Sequence, residues 1–93
     1  MKKIFMAIMN EMAFLFDNDV QYMNVEMPDG YNPYHITLTY EHLNNKVTSL
    51  ENYLEKEKKN YTKVVKCNKW LEYYSYSFND NQNIYVITLK GYH

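Results

Sequence analysis

The side chains best suited to catalysis are the histidines at positions 35, 42 and 93 and the single cysteine, Cys67. An imidazole next to a thiol can activate it as a nucleophile, but no spacing in the sequence brings Cys67 beside His35 or His42. Two glycines are too few for a phosphate-binding loop, and no serine motif or His-Glu metal motif is present. We therefore expect a non-catalytic protein without a cofactor or a metal ion.

A run of lysines is the second candidate for chemistry. Residues 56–69 contain six lysines and one acid, a formal charge of +5. The lysines are Lys56, Lys58, Lys59, Lys63, Lys66 and Lys69. With Tyr61 and Trp70 close by, they could hold phosphates and stack bases. The alternative is a solvated helix end followed by lysines that protect an edge strand from aggregation.

Acidic residues dominate the preceding part of the chain. Residues 10–55 contain eight acids and one lysine, Lys46, a formal charge of −7. An acidic edge with tyrosines nearby favours contact with a basic protein surface, because tyrosine is enriched at interfaces. The alternative is a sheet whose solvent face simply uses Tyr, Thr and Ser. The candidate partner-binding residues are Asp17, Asp19, Tyr22, Glu26, Asp29 and Tyr31.

The overall composition argues against several classes of protein. Hydrophobic residues make up 46% of the sequence, which is typical of a folded domain, and the formal charge is −1. One cysteine excludes an intrachain disulfide and fits a reducing, cytoplasmic compartment. No apolar run reaches the ~18 residues of a membrane span. The first apolar run ends too early, and without a cleavage site, to be a secretory signal.

The clearest structural signal lies between residues 70 and 89. An aromatic stretch, residues 70–78, and a β-branched stretch, residues 83–89, flank the polar segment 79–82. Aromatic and β-branched runs around an Asn/Asp cluster predict a β-hairpin. Tyr73 is expected on one face of its strand, with Tyr74 and Tyr76 on the other.

A second hairpin is predicted earlier in the chain. Residues 20–27 and 34–40 alternate and flank Pro28, Asp29 and Gly30, a turn sequence, within a loop of about six residues. In the second strand, the inward side chains are expected to be Tyr34, Ile36, Leu38 and Tyr40. His35, Thr37 and Thr39 then point outward.

Two segments have helical spacing. Residues 2–16 form an apolar helix through Phe5, Met9, Met12 and Phe16, either buried in the core or paired with a second copy, with a strand at 3–9 as the alternative. Residues 41–58 form a helix whose apolar stripe comprises Leu43, Val47, Leu50 and Leu54, widened by Tyr53. Thr39 is its expected N-cap. Residues 61–67 form either a short strand or a loop.

These elements predict one α+β domain over residues 1–93. Two helices would pack on a four- to five-stranded, mostly antiparallel sheet in the order α-β-β-α-(β)-β-β.

The leading functional hypothesis is a protein-binding module. There are 11 tyrosines, 12 asparagines and 10 lysines but no arginine, and Lys, Asn and Tyr have A/T-rich codons. The small size, the absence of catalytic motifs and the tyrosine-rich faces resemble small phage or mobile-element inhibitors, such as the anti-CRISPR proteins, in general character. That resemblance implies steric blocking of a larger nucleic-acid-handling protein. The alternatives are a nucleic-acid-binding accessory protein that uses residues 56–69 and a homo-oligomer formed through residues 2–16.

Overall fold

Five strands and one longer helix form the framework of the protein. The computed structural model describes residues 9–27, 33–80 and 82–92. Its strands are β1 (Val20–Glu26), β2 (Tyr34–Tyr40), β3 (Tyr61–Cys67), β4 (Leu71–Asp80) and β5 (Asn83–Tyr92). Helix α1 (Lys46–Lys56) follows β2, and a short 3-10 helix, Ala13–Leu15, precedes β1. The predicted α+β class is confirmed.

The strands form a single mixed sheet in the order β1-β2-β5-β4-β3. β1–β2, β5–β4 and β4–β3 are antiparallel, but β2 and β5 at the centre are parallel. The prediction of a mostly antiparallel sheet did not anticipate this pair. The parallel pair arises because the chain crosses over through α1 and returns as the meander β3-β4-β5, which docks on the first hairpin through its last strand.

Both predicted hairpins are present. β4 and β5 pair from Leu71 with Tyr92 to Asp80 with Asn83, so β5 extends three residues beyond the predicted strand. β1 pairs antiparallel with β2, while the predicted turn at 28–30 lies outside the described residues. Residues 61–67, whose sequence allows either a strand or a loop, form the whole of β3.

The predicted helix 41–58 is shorter in the structure, Lys46–Lys56. Thr39 was wrongly expected to cap it: Thr39 lies in β2, and the helix is preceded by Asn45, whose side chain makes no capping hydrogen bond. The reason is that β2 runs on to Tyr40, and residue 41 is then held by β5, with the Tyr92 amide donating to the Glu41 carbonyl at 3.1 Å. Asn44 has a φ of 49° and turns the chain before the helix begins.

The predicted first helix differs in detail. Residues 9–11 are helical, and the 3-10 helix Ala13–Leu15 follows them, whereas residues 1–8 lie outside the described part. The alternative strand at 3–9 also lies outside the described residues, except for Met9, which is helical. Met12 and Leu15 are fully buried in the core, so these two side chains are not available to a second copy.

The core lies between α1 and one face of the sheet. The inward positions predicted for β2 are confirmed, with Ile36, Leu38 and Tyr40 fully buried and Tyr34 nearly so. α1 contributes Leu50 and Leu54, both fully buried, in agreement with the predicted stripe. β4 and β5 contribute Tyr76, Phe78, Tyr85, Ile87 and Leu89.

Buried tyrosines are prominent on this side of the sheet. Tyr85 stacks on Tyr34 with ring centroids 4.8 Å apart and on Phe78 at 5.7 Å. The Tyr40 hydroxyl donates to the Leu15 carbonyl at 2.6 Å, which ties β2 to the 3-10 helix. The Tyr85 hydroxyl finds no hydrogen-bond partner in the described part of the chain, and burial raises its pKa to about 12.

The Tyr40 and Tyr85 hydroxyls give two predictions that can be compared directly. We expect Tyr40→Phe to lower the free energy of unfolding by about 1–2 kcal/mol, because the buried Leu15 carbonyl loses its donor. Tyr85→Phe removes a hydroxyl that has no partner among the described residues, so its free energy of unfolding should be unchanged or higher. Urea denaturation of both variants measures the difference. An equal loss in Tyr85→Phe would contradict the assignment.

Candidate functional site

The sheet face opposite α1, here called the open face, is the main candidate binding surface. Cross-strand pairing assigns to it Tyr22, Asn24 and Glu26 of β1, His35, Thr37 and Thr39 of β2, and alternate residues of β3, β4 and β5. Large side chains are well exposed on it: Tyr22 is 65%, Val64 50% and Ile84 48% exposed. An uncovered sheet face with exposed tyrosine and aliphatic side chains is suited to binding a macromolecule.

The centre of the open face is polar and tightly connected. The Thr88 hydroxyl of β5 lies 2.9 Å from the Ser75 hydroxyl of β4 and 3.4 Å from Nε2 of His35 on β2. Thr39 and Thr88 are buried although they lie on this face. His35 points outward as predicted, and its ring contacts the Thr88 hydroxyl on the same face.

A lysine and tyrosine row crosses the β3 side of the open face. Lys66, Tyr73 and Lys90 are direct neighbours on β3, β4 and β5. The Lys90 Nζ lies 5.5 Å from the centroid of the Tyr73 ring. Beside this row is a shallow groove of about 550 Å³, lined by Val64, Lys66, Cys67, Asn68, Tyr73 and Ser75. The row offers one aromatic ring between two cations, a combination that sequence analysis missed because Lys90 is 21 residues beyond Lys69.

The lysine run 56–69 does not form one patch. Lys59 pairs with Asp80, and Lys63 pairs with Glu51 of α1 at 2.7 Å. Lys66 lies on the open face, whereas Lys63 lies on the α1 side of the same strand. Lys69 lies next to the 69% exposed Trp70, with its Nζ 5.2 Å from the ring centroid, in the turn between β3 and β4. Lys56 and Lys58 are exposed at the end of α1.

The six acidic and tyrosine candidates are also divided. Tyr22 and Glu26 share the open face. Asp17 and Asp19 lie in the turn before β1, and their carboxylates approach Lys46 on the α1 side of the sheet. Asp29 and Tyr31 lie outside the described residues. Among the described residues, the acidic surface on the open face is therefore limited to the β1 edge.

Lys46 explains the position of Asp17. The Lys46 side chain is 7% exposed, and its Nζ donates to the Phe14 carbonyl at 3.1 Å and to the Asp17 carboxylate. It also lies 5.5 Å from the centroid of the Tyr40 ring. The hydrogen bond from Lys46 lowers the pKa of Asp17 below its ordinary value of 3.8. Asp17 thus neutralises a buried cation, a role that the count of acids in the sequence did not reveal.

A second carboxylate joins α1 to the other end of the sheet. Glu51 accepts hydrogen bonds from Lys63 of β3 and from the buried hydroxyl of Tyr76 on β4. These two donors, with Lys63 as the larger cause, lower the pKa of Glu51. Burial, followed by the hydrogen bond to Glu51, raises the pKa of Tyr76. Tyr76 was predicted on the face opposite Tyr73, and the structure confirms this placement.

Among residues 9–27, 33–80 and 82–92, the structure does not place Cys67 beside His35 or His42. Cys67 is exposed at the end of β3, and β4 and β5 separate its strand from His35 on β2. Nδ1 of His42 lies 3.3 Å from the Tyr92 carbonyl, while His93 is outside the described part. Within residues 9–27, 33–80 and 82–92, no three His, Cys, Asp or Glu side chains are grouped to hold a metal ion.

Comparison with known proteins adds no family to this description: the chain matches no protein-family model, no curated protein and no solved structure. In the part of the chain that the structure describes, no helix has the length and apolar character needed to cross a membrane. The candidate surfaces are therefore assigned from the chemistry of their own residues alone.

The Asp17–Lys46 pair predicts a pH dependence of stability. Because folding lowers the Asp17 pKa, the ionised carboxylate stabilises the protein above the unfolded-state pKa, and this contribution is lost as the pH falls through the lower folded-state value. Asp17→Asn should therefore be less stable than the native protein near neutral pH, with the difference shrinking below about pH 4.

Urea denaturation across this pH range measures the effect. Glu26→Gln makes the same change of charge at the β1 edge of the open face and serves as the matched control. A stability difference between Asp17→Asn and the native protein that stays constant from neutral to low pH would contradict the assigned pairing.

Proposed function

We propose that this protein is a small non-catalytic binding module that acts as an inhibitor of the phage or mobile-element kind. It binds a larger nucleic-acid-handling protein through the open face and blocks it sterically. The observation that supports this proposal is that the open face leaves Tyr22, Ile84 and Tyr92 exposed while α1 covers the opposite face. Tyrosine provides large, stiff contact area at low entropic cost, which favours a protein partner.

Charge indicates how the partner would be oriented. Glu26 lies at the β1 edge of the open face, whereas Lys66 and Lys90 lie on its β3 side. A basic patch on the partner, of the type that binds nucleic acid, would meet the β1 edge beside Tyr22. Such rim charges contribute orientation and association rate more than affinity.

The test compares two substitutions that add the same charge. Ile84→Lys places a lysine in the open face, and Thr48→Lys places one on the exposed side of α1. In a tagged pull-down from lysate of the source cell or its host, we expect one stoichiometric protein that survives nuclease treatment. Ile84→Lys should lose this protein, and Thr48→Lys should retain it.

Affinity for the purified partner then measures individual contacts. Tyr22→Ala should weaken binding about 30-fold if Tyr22 is an interface anchor, since such residues contribute about 2 kcal/mol or more. Equal binding by the native protein, Ile84→Lys and Tyr22→Ala would overturn the assignment of the open face. A partner that disappears with nuclease would instead favour nucleic-acid binding.

The Lys66-Tyr73-Lys90 row favours binding to single-stranded nucleic acid as a second candidate function. Tyr73 presents a ring on which a base could stack, and the flanking ammonium groups could each contact a phosphate. This site retains only Lys66 from the predicted lysine run and adds Lys90 from β5. The sequence has no arginine, so any such binding would read shape and charge with little base specificity.

Salt dependence tests this second function. The affinity for a fluorescent single-stranded oligonucleotide, measured by anisotropy, should fall with salt at a logarithmic slope of about −0.7 for each phosphate contacted. Lys66→Gln should make the slope shallower, while Lys56→Gln, the same change at the end of α1, should not. Tyr73→Ala should weaken binding roughly 5- to 150-fold, the loss of one stacked base. Absent or salt-independent binding would exclude this function.

A further inference from the structure

The two edges of the sheet differ in regularity. β1, at one edge, has an irregular register between Val20 and Tyr22. β3, at the other, pairs with β4 in seven consecutive steps from Tyr61 with Phe78 to Cys67 with Glu72. A bulge protects an edge strand against pairing with another chain, whereas a straight and regular edge remains able to accept one.

β3 also exposes one aliphatic side chain on each of its faces. Val64 lies on the open face and Val65 on the α1 side, and each is 50% exposed. Two neighbouring half-exposed valines on an edge strand are typical of a strand that receives a partner on its outer side. β1 also exposes an apolar side chain at its midpoint, since Met23 is 45% exposed, so the feature that separates the two edges is the regular register of β3.

The lysines of β3 leave this edge accessible. A lysine protects an edge strand when pairing with another strand would place its charge in the new contact between the two strands. Lys63 is instead drawn toward α1, where its Nζ lies 2.7 Å from the Glu51 carboxylate and 5.7 Å from the centroid of the Tyr74 ring. Only Lys66, on the open face, remains to be matched by a partner strand.

We propose that β3 is a self-association edge, on which β3 of a second copy pairs antiparallel around a two-fold axis at Val64. This axis makes residues 61–67 of the two copies overlap over their full length, because Val64 is the midpoint of β3. An axis perpendicular to the sheet keeps every residue on its own face. Lys63 is then opposite Val65 and Thr62 is opposite Lys66, so no two lysines face each other.

Other registers are less favourable. An axis at Lys63 or at Lys66 would place that lysine opposite its own copy, and like charges directly opposite each other destabilise a strand pair. An axis at Val65 avoids this but leaves the Tyr61 end of β3 without a partner. The second copy therefore extends the sheet across β3 and joins the two open faces into one surface.

This proposal does not depend on the proposed function, because Tyr22 and Ile84 lie on β1 and β5, away from the β3 edge. An experiment can therefore contradict the proposed self-association without contradicting the proposed partner binding, and the reverse. Ile84→Lys tests the binding of a partner protein, whereas substitutions in β3 test self-association.

Sedimentation velocity over a wide concentration range tests the proposal with charge substitutions at one position. In the proposed register, Val65→Glu places a carboxylate opposite Lys63 of the second copy, twice in each dimer. We expect it to strengthen the dimer roughly three- to tenfold, because opposite charges across a strand pair attract. Val65→Lys should weaken the dimer by a similar factor. Thr48→Glu, with the same charge change on α1, should leave it unchanged.

Two further measurements complete the test. Thr62→Glu, opposite Lys66, should also strengthen the dimer, and amides of residues 61–67 should exchange more slowly with solvent as the concentration rises. Thermal melts establish that each variant is folded. A native protein that stays monomeric at every concentration would overturn the proposal, as would equal effects of Val65→Glu and Val65→Lys. Strengthening by Val64→Glu but not by Val65→Glu would overturn the register centred on Val64.

Discussion

The parallel pairing of β2 with β5 joins the first hairpin to the C-terminal meander, and every other feature of the sheet depends on it. Ile36 lies opposite Ile87 and Leu38 opposite Leu89, so the apolar positions of two segments about 50 residues apart meet on one face. α1 covers that face with Leu50 and Leu54. The same register necessarily sends the threonines of both strands to the other side, which creates the polar centre of the open face.

Two ionic contacts hold the covering layer on this sheet, one at the first residue of α1 and one at its middle residue. Lys46, at the first residue of the helix, reaches Asp17 in the turn before β1, and Glu51 reaches Lys63 of β3. Removing Asp17 would leave the buried Lys46 ammonium group with the more distant Asp19 carboxylate, at 3.9 Å, as its counter-charge among the described residues, which costs more than the loss of an exposed pair. The charges that looked like a binding surface in the sequence therefore serve in part to attach α1 and its neighbouring turn.

The surfaces that do not take part in packing α1 on the sheet define what the protein can bind. The open face offers exposed tyrosine and aliphatic side chains for a partner protein, and the Lys66-Tyr73-Lys90 row offers a cationic stacking site. β3 forms one edge of the described sheet and carries two neighbouring half-exposed valines. These surfaces differ in chemistry, so protein binding, nucleic-acid binding and self-association give distinct responses to charge, salt and concentration.

The sequence by itself determined the local elements: the hairpin of β4 and β5, the inward positions of β2 and the apolar stripe of α1 all follow from side-chain periodicity, which is a local property. It did not determine the start of α1, because the competing hydrogen bond from Tyr92 to Glu41 comes from a residue about 50 positions away. Nor did it distinguish Asp17, which pairs with buried Lys46, from Glu26, which lies on the open face. Only the tertiary structure decided which lysines and tyrosines share a surface, because the central parallel pair sets the order of the strands, and strand order determines the neighbours of every side chain.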